Sequence, residues 1–98
     1  MRVAIIYKPR NLAPPEAVPV LIERLRGWVD QHASSFSPLE FFPGGGGIGI
    51  IDVDSSSDLH KIVAANPFTP YSDVEIRPVL DPGTAFENLR EAMAAAAG

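Results

Sequence analysis

The sequence has no cysteine, two histidines and only 20% charged residues. Without cysteine there is no disulfide and no thiolate site, as is usual in the reducing cytoplasm, where we expect the protein. The formal net charge is −4 and the eight lysines and arginines are scattered, so we predict no nucleic-acid partner. No apolar run approaches the length that spans a bilayer, and Met1 leads into a strand-like run rather than a signal peptide. We therefore expect no membrane partner.

Apolar residues make up 46% of the chain and fall in short runs with clear periods. The run at residues 47–54 alternates so that isoleucines occupy both faces of a predicted strand, and the run at 3–7 is also apolar on both faces. Strands of this kind need cover on two sides. Gly47 and Gly49 lower the strand propensity of the central run, and such positions let another backbone or a ligand approach closely.

The order of predicted elements is β-α-β-β-α-β followed by a terminal helix. Strands are predicted at 3–7, 36–42, 47–54 and 73–80, and helices at 15–32, at 55–65 and from residue 82 onward. Ser55 and Asp81 are predicted N-caps, and Pro38 marks its strand as an edge or irregular strand. This order predicts one α+β domain over residues 1–98, with a ferredoxin-like four-stranded antiparallel sheet and the first two helices on one face.

Two helices cover only one face of such a sheet, whereas the first and third strands are apolar on both faces. A large exposed apolar face is unusual on a soluble monomer. We therefore predict a homodimer in which two sheets pack face to face as an eight-stranded barrel. A charge at Ile50 or Ile5 is expected to split or unfold this dimer.

Two segments resemble a known family. The turn Tyr7-Lys8-Pro9-Arg10 and the Pro-Phe-Thr-Pro-Tyr loop within residues 66–81, which ends in Pro-Val-Leu-Asp, are similar to those of small bacterial domains of the DUF3303 type. The resemblance implies the dimeric α+β barrel superfamily. That superfamily includes muconolactone isomerases, cofactor-free quinone-forming monooxygenases, haem-degrading enzymes and ligand-sensing domains, so it implies a fold and not one function.

Four consecutive glycines at 44–47 invite comparison with a phosphate-binding loop. Such a loop leads from a strand into a helix and usually carries a lysine nearby. Here the glycines lead into a strand and no lysine is close. The run therefore favours a flexible hairpin or a lid.

The two histidines lie at the end of the first helix and inside the second. Their spacing matches no metal site, and we predict neither a metal nor a cofactor. A lone histidine is also weak support for haem. His32 is suited to a helix C-terminus as a cation. His60 is either a solvated surface residue or a general acid or base, because imidazole titrates near neutrality.

Several aromatic residues fall at strand ends and in loops, where they either complete the core or face a ligand. Tyr7, Trp28, His60, Phe68 and Tyr71 would form one wall of a pocket if they converge. Arg77 lies on a predicted strand. It either pairs with Glu75 or Asp52, or it anchors an anionic or enolic oxygen of a ligand.

Two functions remain open on these residues. The first is an enzyme that acts by proton transfer on a small, apolar, cyclic molecule, as an isomerase, a cyclase or a cofactor-free monooxygenase. His60 and Tyr71 would then be the acid and base, Tyr7 and Arg77 would orient the substrate, and Trp28 and Phe68 would bind it. The second is a non-catalytic dimer that binds a small molecule or supports assembly.

Overall fold

The computed structural model describes residues 1–97, which form four strands and three α-helices. The strands are β1 (Arg2–Pro9), β2 (Phe36–Phe41), β3 (Gly47–Asp52) and β4 (Ser72–Pro78), and the helices are α1 (Val18–His32), α2 (Ser56–Ala65) and α3 (Pro82–Ala97). Short 3₁₀ turns at Pro15–Ala17, Ala33–Ser35 and Thr69–Tyr71 precede α1, β2 and β4. The predicted order of elements is confirmed. The fourth strand ends at Pro78 rather than at residue 80.

The four strands form one sheet in the order β2-β3-β1-β4, with every neighbouring pair antiparallel. This is the predicted ferredoxin-like arrangement. β2 is an edge strand, and its pairing with β3 shifts between Phe36 and Leu39, across the proline that marked it as irregular.

The core lies between one face of the sheet and the helices α1 and α2. Val3 and Ile5 of β1 alternate onto this face, and Ile51 of β3 pairs directly with Val3. They pack with residues of both helices, and every member of the buried cluster is less than 10% exposed: Val3, Ile5, Trp28, Phe36, Ile51, Val53 and Leu59. Both helices therefore cover the same face of the sheet, as predicted.

The opposite face of the sheet carries a central apolar strip. Ala4 pairs with Ile50 and Ile6 pairs with Ile48, so these four side chains are neighbours. The strip is apolar as predicted, but neither α1 nor α2 covers it. Ile5 lies on the core face instead, so a charge there is expected to unfold the chain itself.

Helix α3 extends away from the body formed by the other elements. Asp81 caps it, since its carboxylate accepts a hydrogen bond of 2.9 Å from the Thr84 amide. None of its residues is buried. The chain consequently measures 62 × 24 × 23 Å, with a radius of gyration of 16.9 Å where a compact chain of this length has about 13 Å. Among the helices of residues 1–97, none is long and apolar enough to cross a membrane.

Candidate functional site

A cavity of about 380 Å³ opens between α1 and the sheet, at the end where β1 finishes and β4 begins. Its volume suits a small organic ligand. The residues that line it include Ile5, Tyr7, Leu25, Trp28, Phe36, Leu39, Asn66, Phe68 and Tyr71. Four of the five side chains predicted to share a wall therefore do so: Tyr7, Trp28, Phe68 and Tyr71.

Tyr7 reaches the cavity from the end of β1 and is held by a network of hydrogen bonds. Its hydroxyl lies 3.2 Å from Thr69 Oγ1 and 3.4 Å from the carbonyl oxygen of Val63. Thr69 donates its own proton to that carbonyl at 2.6 Å, so its oxygen is free to accept the Tyr7 proton. The network fixes the position of the phenol and directs its proton away from a ligand.

Burial raises the pKa of the Tyr7 phenol, and its hydrogen bonds with Thr69 and Asn66 offset only part of that rise. Asn66 is itself buried, at 6% exposure, where its side-chain oxygen accepts a hydrogen bond from the Phe68 amide at 2.9 Å. Tyr7 is therefore a neutral phenol at physiological pH. It can orient a ligand by hydrogen bonding but does not supply a phenolate base.

Tyr71 is positioned through its backbone rather than through its side chain. Its carbonyl oxygen accepts hydrogen bonds from the amides of Arg10 and Asn11 at 3.0 and 3.3 Å, and its amide donates to Phe68 at 2.9 Å. Its hydroxyl makes no hydrogen bond to any residue between 1 and 97. Of the two phenols that line the cavity, Tyr71 is thus the one whose hydroxyl is available to a ligand.

Trp28 and Phe36 form the apolar floor of the cavity. Their ring centroids are 5.7 Å apart, and the indole N–H donates to the Ile62 carbonyl at 3.0 Å. Phe36 lies directly on Gly49 of β3, where an added Cβ would be 2.5 Å from the ring. The group that approaches Gly49 closely is thus the ring of Phe36, a side chain of the same chain.

The glycine run forms the hairpin turn between β2 and β3, at the rim of the cavity. Gly44, Gly45 and Gly46 have φ angles of 91°, 115° and 79°, which favour glycine strongly. The turn is closed by a 2.9 Å hydrogen bond from the Phe42 amide to the Gly46 carbonyl. The hairpin interpretation of this run is therefore confirmed.

The cavity is electrically neutral. No lysine, arginine, histidine or aspartate is among its lining residues, and Glu40 is the one charged residue there. Glu40 pairs with Ile48, so strand alternation puts its side chain on the other face of the sheet. A charged ligand would have no counter-charge in this site and would lose its hydration. The lining therefore favours an uncharged ligand.

The structure places two of the predicted site residues, His60 and Arg77, outside the cavity. His60 is exposed on α2, one position beyond the buried Leu59, and it does not line the cavity. Arg77 lies on the open face of the sheet, because it pairs with Ala4. There it forms an ion pair of 2.6 Å with Glu75, which also lies 3.3 Å from Lys8. Of the alternatives for Arg77, pairing with Glu75 is the one observed.

The hydrogen bond from Arg77, followed by that from Lys8, lowers the pKa of Glu75.

His32 ends α1 as expected, and its ring packs against Trp28 with centroids 5.4 Å apart. Within residues 1–97, no three potential ligands cluster in a way that could hold a metal ion.

The sequence analysis missed two polar residues and one aromatic residue that shape the site. Asn66 and Thr69 flank the Pro-Phe pair of the loop, where Asn before a turn indicates a side-chain hydrogen bond to the backbone. That signal was present in the sequence. Phe36 at the start of a strand carries no comparable signal, because its role depends on the ring-sized gap that Gly49 leaves on a neighbouring strand.

The fold has known counterparts among solved structures. The chain is similar to a muconolactone isomerase with a TM-score of 0.66 and 20% identity, covering 84% of this chain and 92% of that one. It is also similar to the 5-chloro-2-hydroxyhydroquinone dehydrochlorinase TftG of Burkholderia phenoliruptrix AC1100, solved in complex with 2,5-dihydroxybenzoquinone. That TM-score is 0.60 at 16% identity, covering 86% of this chain and 98% of TftG. No protein-family model and no curated protein matches the sequence, so the resemblance to the DUF3303 type gains no support. At these identities the likeness shows the fold alone, a ferredoxin-like α+β fold with a four-stranded antiparallel sheet.

Proposed function

We propose that the protein is a small-molecule enzyme that binds a neutral, largely apolar, cyclic compound in this cavity and moves a proton on it. The observation that carries the proposal is the free hydroxyl of Tyr71 in a largely apolar site whose lining includes no lysine, arginine, histidine or aspartate. A few polar groups in an apolar pocket fix the orientation of a ligand. Tyr7, positioned by its hydrogen-bond network and kept neutral by burial, supplies the second polar contact.

Of the predicted reaction types, isomerisation is one whose atoms balance on Tyr71 alone. In a keto–enol isomerisation, the Tyr71 hydroxyl gives its proton to a ligand carbon. The same oxygen takes the proton that the enol hydroxyl releases, so the enzyme and the net charge are unchanged. The two fold neighbours, an isomerase and a dehydrochlorinase that act on small ring compounds, are compatible with this class.

We further propose that the working unit is a homodimer that covers the open apolar face of the sheet. The strip formed by Ala4, Ile6, Ile48 and Ile50 runs along the two central strands, where an apolar surface gains most from burial. Charged side chains of β4 flank it. Such a strip is suited to packing against the same strip of a second copy around a two-fold axis.

A non-catalytic binding protein is the second candidate, and the position of His60 favours it. His60 is exposed, Tyr7 is kept neutral by burial, and strand alternation turns Glu40 to the other face of the sheet, so none of these three supplies a base to the cavity. Binding alone requires none.

Binding is measured first, through the fluorescence of Trp28, which is the only tryptophan and lines the cavity. We expect neutral phenols, quinones and lactones to change its emission, and matched carboxylates of the same ring size to bind at least about tenfold more weakly, since each 1.4 kcal/mol of desolvation is a factor of ten. Equal or tighter binding of the carboxylates would contradict the neutral site.

Catalysis is then tested with a bound compound in D₂O, because proton transfer at carbon incorporates deuterium that mass spectrometry detects. We expect Tyr71→Phe to slow exchange about 10²-fold or more while binding persists, since positioned acids and bases contribute 10²–10⁴-fold. His60→Ala is the matched control and is expected to leave exchange unchanged. Binding without exchange in the wild-type protein would favour the non-catalytic candidate, and loss of exchange in His60→Ala would refute the assignment to Tyr71.

A further inference from the structure

Helix α3 carries an apolar stripe that nothing in the described chain covers. Phe86, Leu89 and Met93 recur at helical spacing along one side and are 65%, 58% and 72% exposed. Isolated helices of this length are marginal in water, and most helical stability in proteins comes from packing of an apolar face. The stripe therefore needs a partner surface.

A second exposed apolar surface surrounds the mouth of the cavity. Leu12 of the loop after β1 is 96% exposed, and Phe41 and Phe42 at the end of β2 are 55% and 43% exposed. All three line the opening. This rim, like the stripe, consists of large side chains that gain free energy when they are removed from water.

The chain cannot bring its own stripe to its own rim. Ser72, at the start of β4, pairs with Pro9 and lines the cavity, whereas Pro78, at its end, pairs with Val3. Six residues of strand separate these positions by about 20 Å. α3 begins just beyond Pro78 and extends the molecule to 62 Å. It starts at the end of the sheet that is remote from the cavity and leads away from it.

We propose that α3 of each copy packs its stripe against the cavity rim of a second copy, so that each cavity is closed by its partner. A two-fold axis perpendicular to β1 places the cavity end of one sheet beside the α3 end of the other, which makes the exchange reciprocal and closed. This inference rests on the cavity and the homodimer proposed above, and it adds that the site is incomplete within one chain.

The areas support a second copy as the occupant. The sheet face alone, four strands wide and six residues long, presents about 400 Å². A stable interface buries about 800 Å² on each partner. α3 is about 24 Å long and 10 Å wide, and because each copy gives one helix and receives another, the exchange adds about 480 Å² per copy. Only the sheet and the helices together reach the size of a stable dimer.

The chain has no cysteine, so disulfide trapping gives a direct test. The Leu12→Cys variant and the Leu89→Cys variant are prepared separately, one of them with a mass tag. The two proteins are mixed, left to exchange subunits, and then oxidised. We expect a disulfide between unlike chains that forms at least tenfold faster than with Glu91→Cys, which lies on the opposite side of α3. The proposal is overturned if Leu89→Cys crosslinks to Leu12→Cys no faster than the Glu91→Cys control does, or if Leu89→Cys crosslinks mainly to itself. It is also overturned if a variant that carries both Leu12→Cys and Leu89→Cys forms the disulfide within one chain.

A triple variant, Phe86→Ser with Leu89→Ser and Met93→Ser, supplies a second readout. Since α3 buries no residue in its own chain, this variant is expected to fold. We expect acrylamide to quench Trp28 severalfold more efficiently than in the wild type, because the cavity opens. A wild-type dimer by light scattering with unchanged quenching in the variant overturns the role of α3 and leaves the homodimer standing. A wild-type monomer overturns both.

Discussion

The contact between Gly49 and Phe36 gives the sharpest test of how the sequence builds the cavity floor. In Gly49→Ala, the new methyl group would lie 2.5 and 2.6 Å from two carbons of the Phe36 ring and 3.3 Å from a methyl group of Leu39. The ring cannot retreat freely, since it is buried and packs on Trp28. The strand must bend or the ring must leave its position.

Overpacking a core by one methyl group typically costs about 1–3 kcal/mol. For a domain of this size each kcal/mol lowers Tm by about 4–8 °C. The matched control is Gly27→Ala, in the exposed middle of α1, where an added Cβ meets no atom within 4 Å. It is expected to stabilise the protein by about 0.5–1 kcal/mol, because alanine is the better helix former.

Urea denaturation followed by circular dichroism measures both free energies of unfolding, and Trp28 emission reports whether the floor has moved. We expect opposite signs for the two variants and a shift of emission in Gly49→Ala only. If Gly49→Ala is as stable as the wild type with unchanged emission, the glycine does not set the position of Phe36, and this account of the cavity is wrong.

Three further predictions follow from single contacts. Because the pKa of Tyr7 is raised in the folded protein, the unfolded chain, with a pKa of 10.0, loses the phenol proton first as the pH rises. The stability that the neutral phenol contributes is therefore complete below pH 10 and declines above it. In unfolding titrations from about pH 8 to 11, the wild type should lose more stability than Tyr7→Phe. Ser55→Ala removes the cap that accepts the Asp58 amide at 3.1 Å and should cost about 1 kcal/mol in urea denaturation, whereas exposed Ser57→Ala should cost less than half of that. Ile50→Asp should yield a folded monomer by light scattering, because Ile50 lies on the open face; an unfolded chain would place it in the core instead.

Most of the fold could be predicted because local signals and the apolar periods agree. Prolines, the Ser55 cap and the Asp81 cap mark where helices begin, and the order of elements then leaves few topologies. The sheet order and the shared helix face both followed from that order. Element ends were less certain, since the fourth strand stops at Pro78, although the Val79 amide still donates to the Arg2 carbonyl at 3.0 Å.

The site was predicted less well, for two different physical reasons. The sheet face on which Arg77 lies could have been predicted from strand alternation. Val74 packs on the core, and side chains an odd number of residues apart on a strand point to opposite faces. His60 likewise follows Leu59 by about 100° on the helix, away from the core. The cavity itself was not available, because it depends on how Phe36, Gly49 and the glycine turn pack across three strands, and sequence periods carry no information on such tertiary gaps.

The apolar strip of the sheet and the apolar stripe of α3 bear on how the chain associates. Counting apolar faces predicted association. The structure adds two unlike surfaces: a flat strip on the sheet, in which Ala4 is 7% exposed and the three isoleucines are half-buried, and a strongly exposed helical stripe on α3. A face-to-face pair of sheets covers the strip on the sheet and leaves the stripe on α3 in water. The stripe cannot be covered by the body of its own chain, because α3 leads away from it. In the proposed dimer, the exchange of helices covers the stripe as well, because the exposed apolar rim at the other end of the sheet gives an exchanged helix a surface on which to bury it.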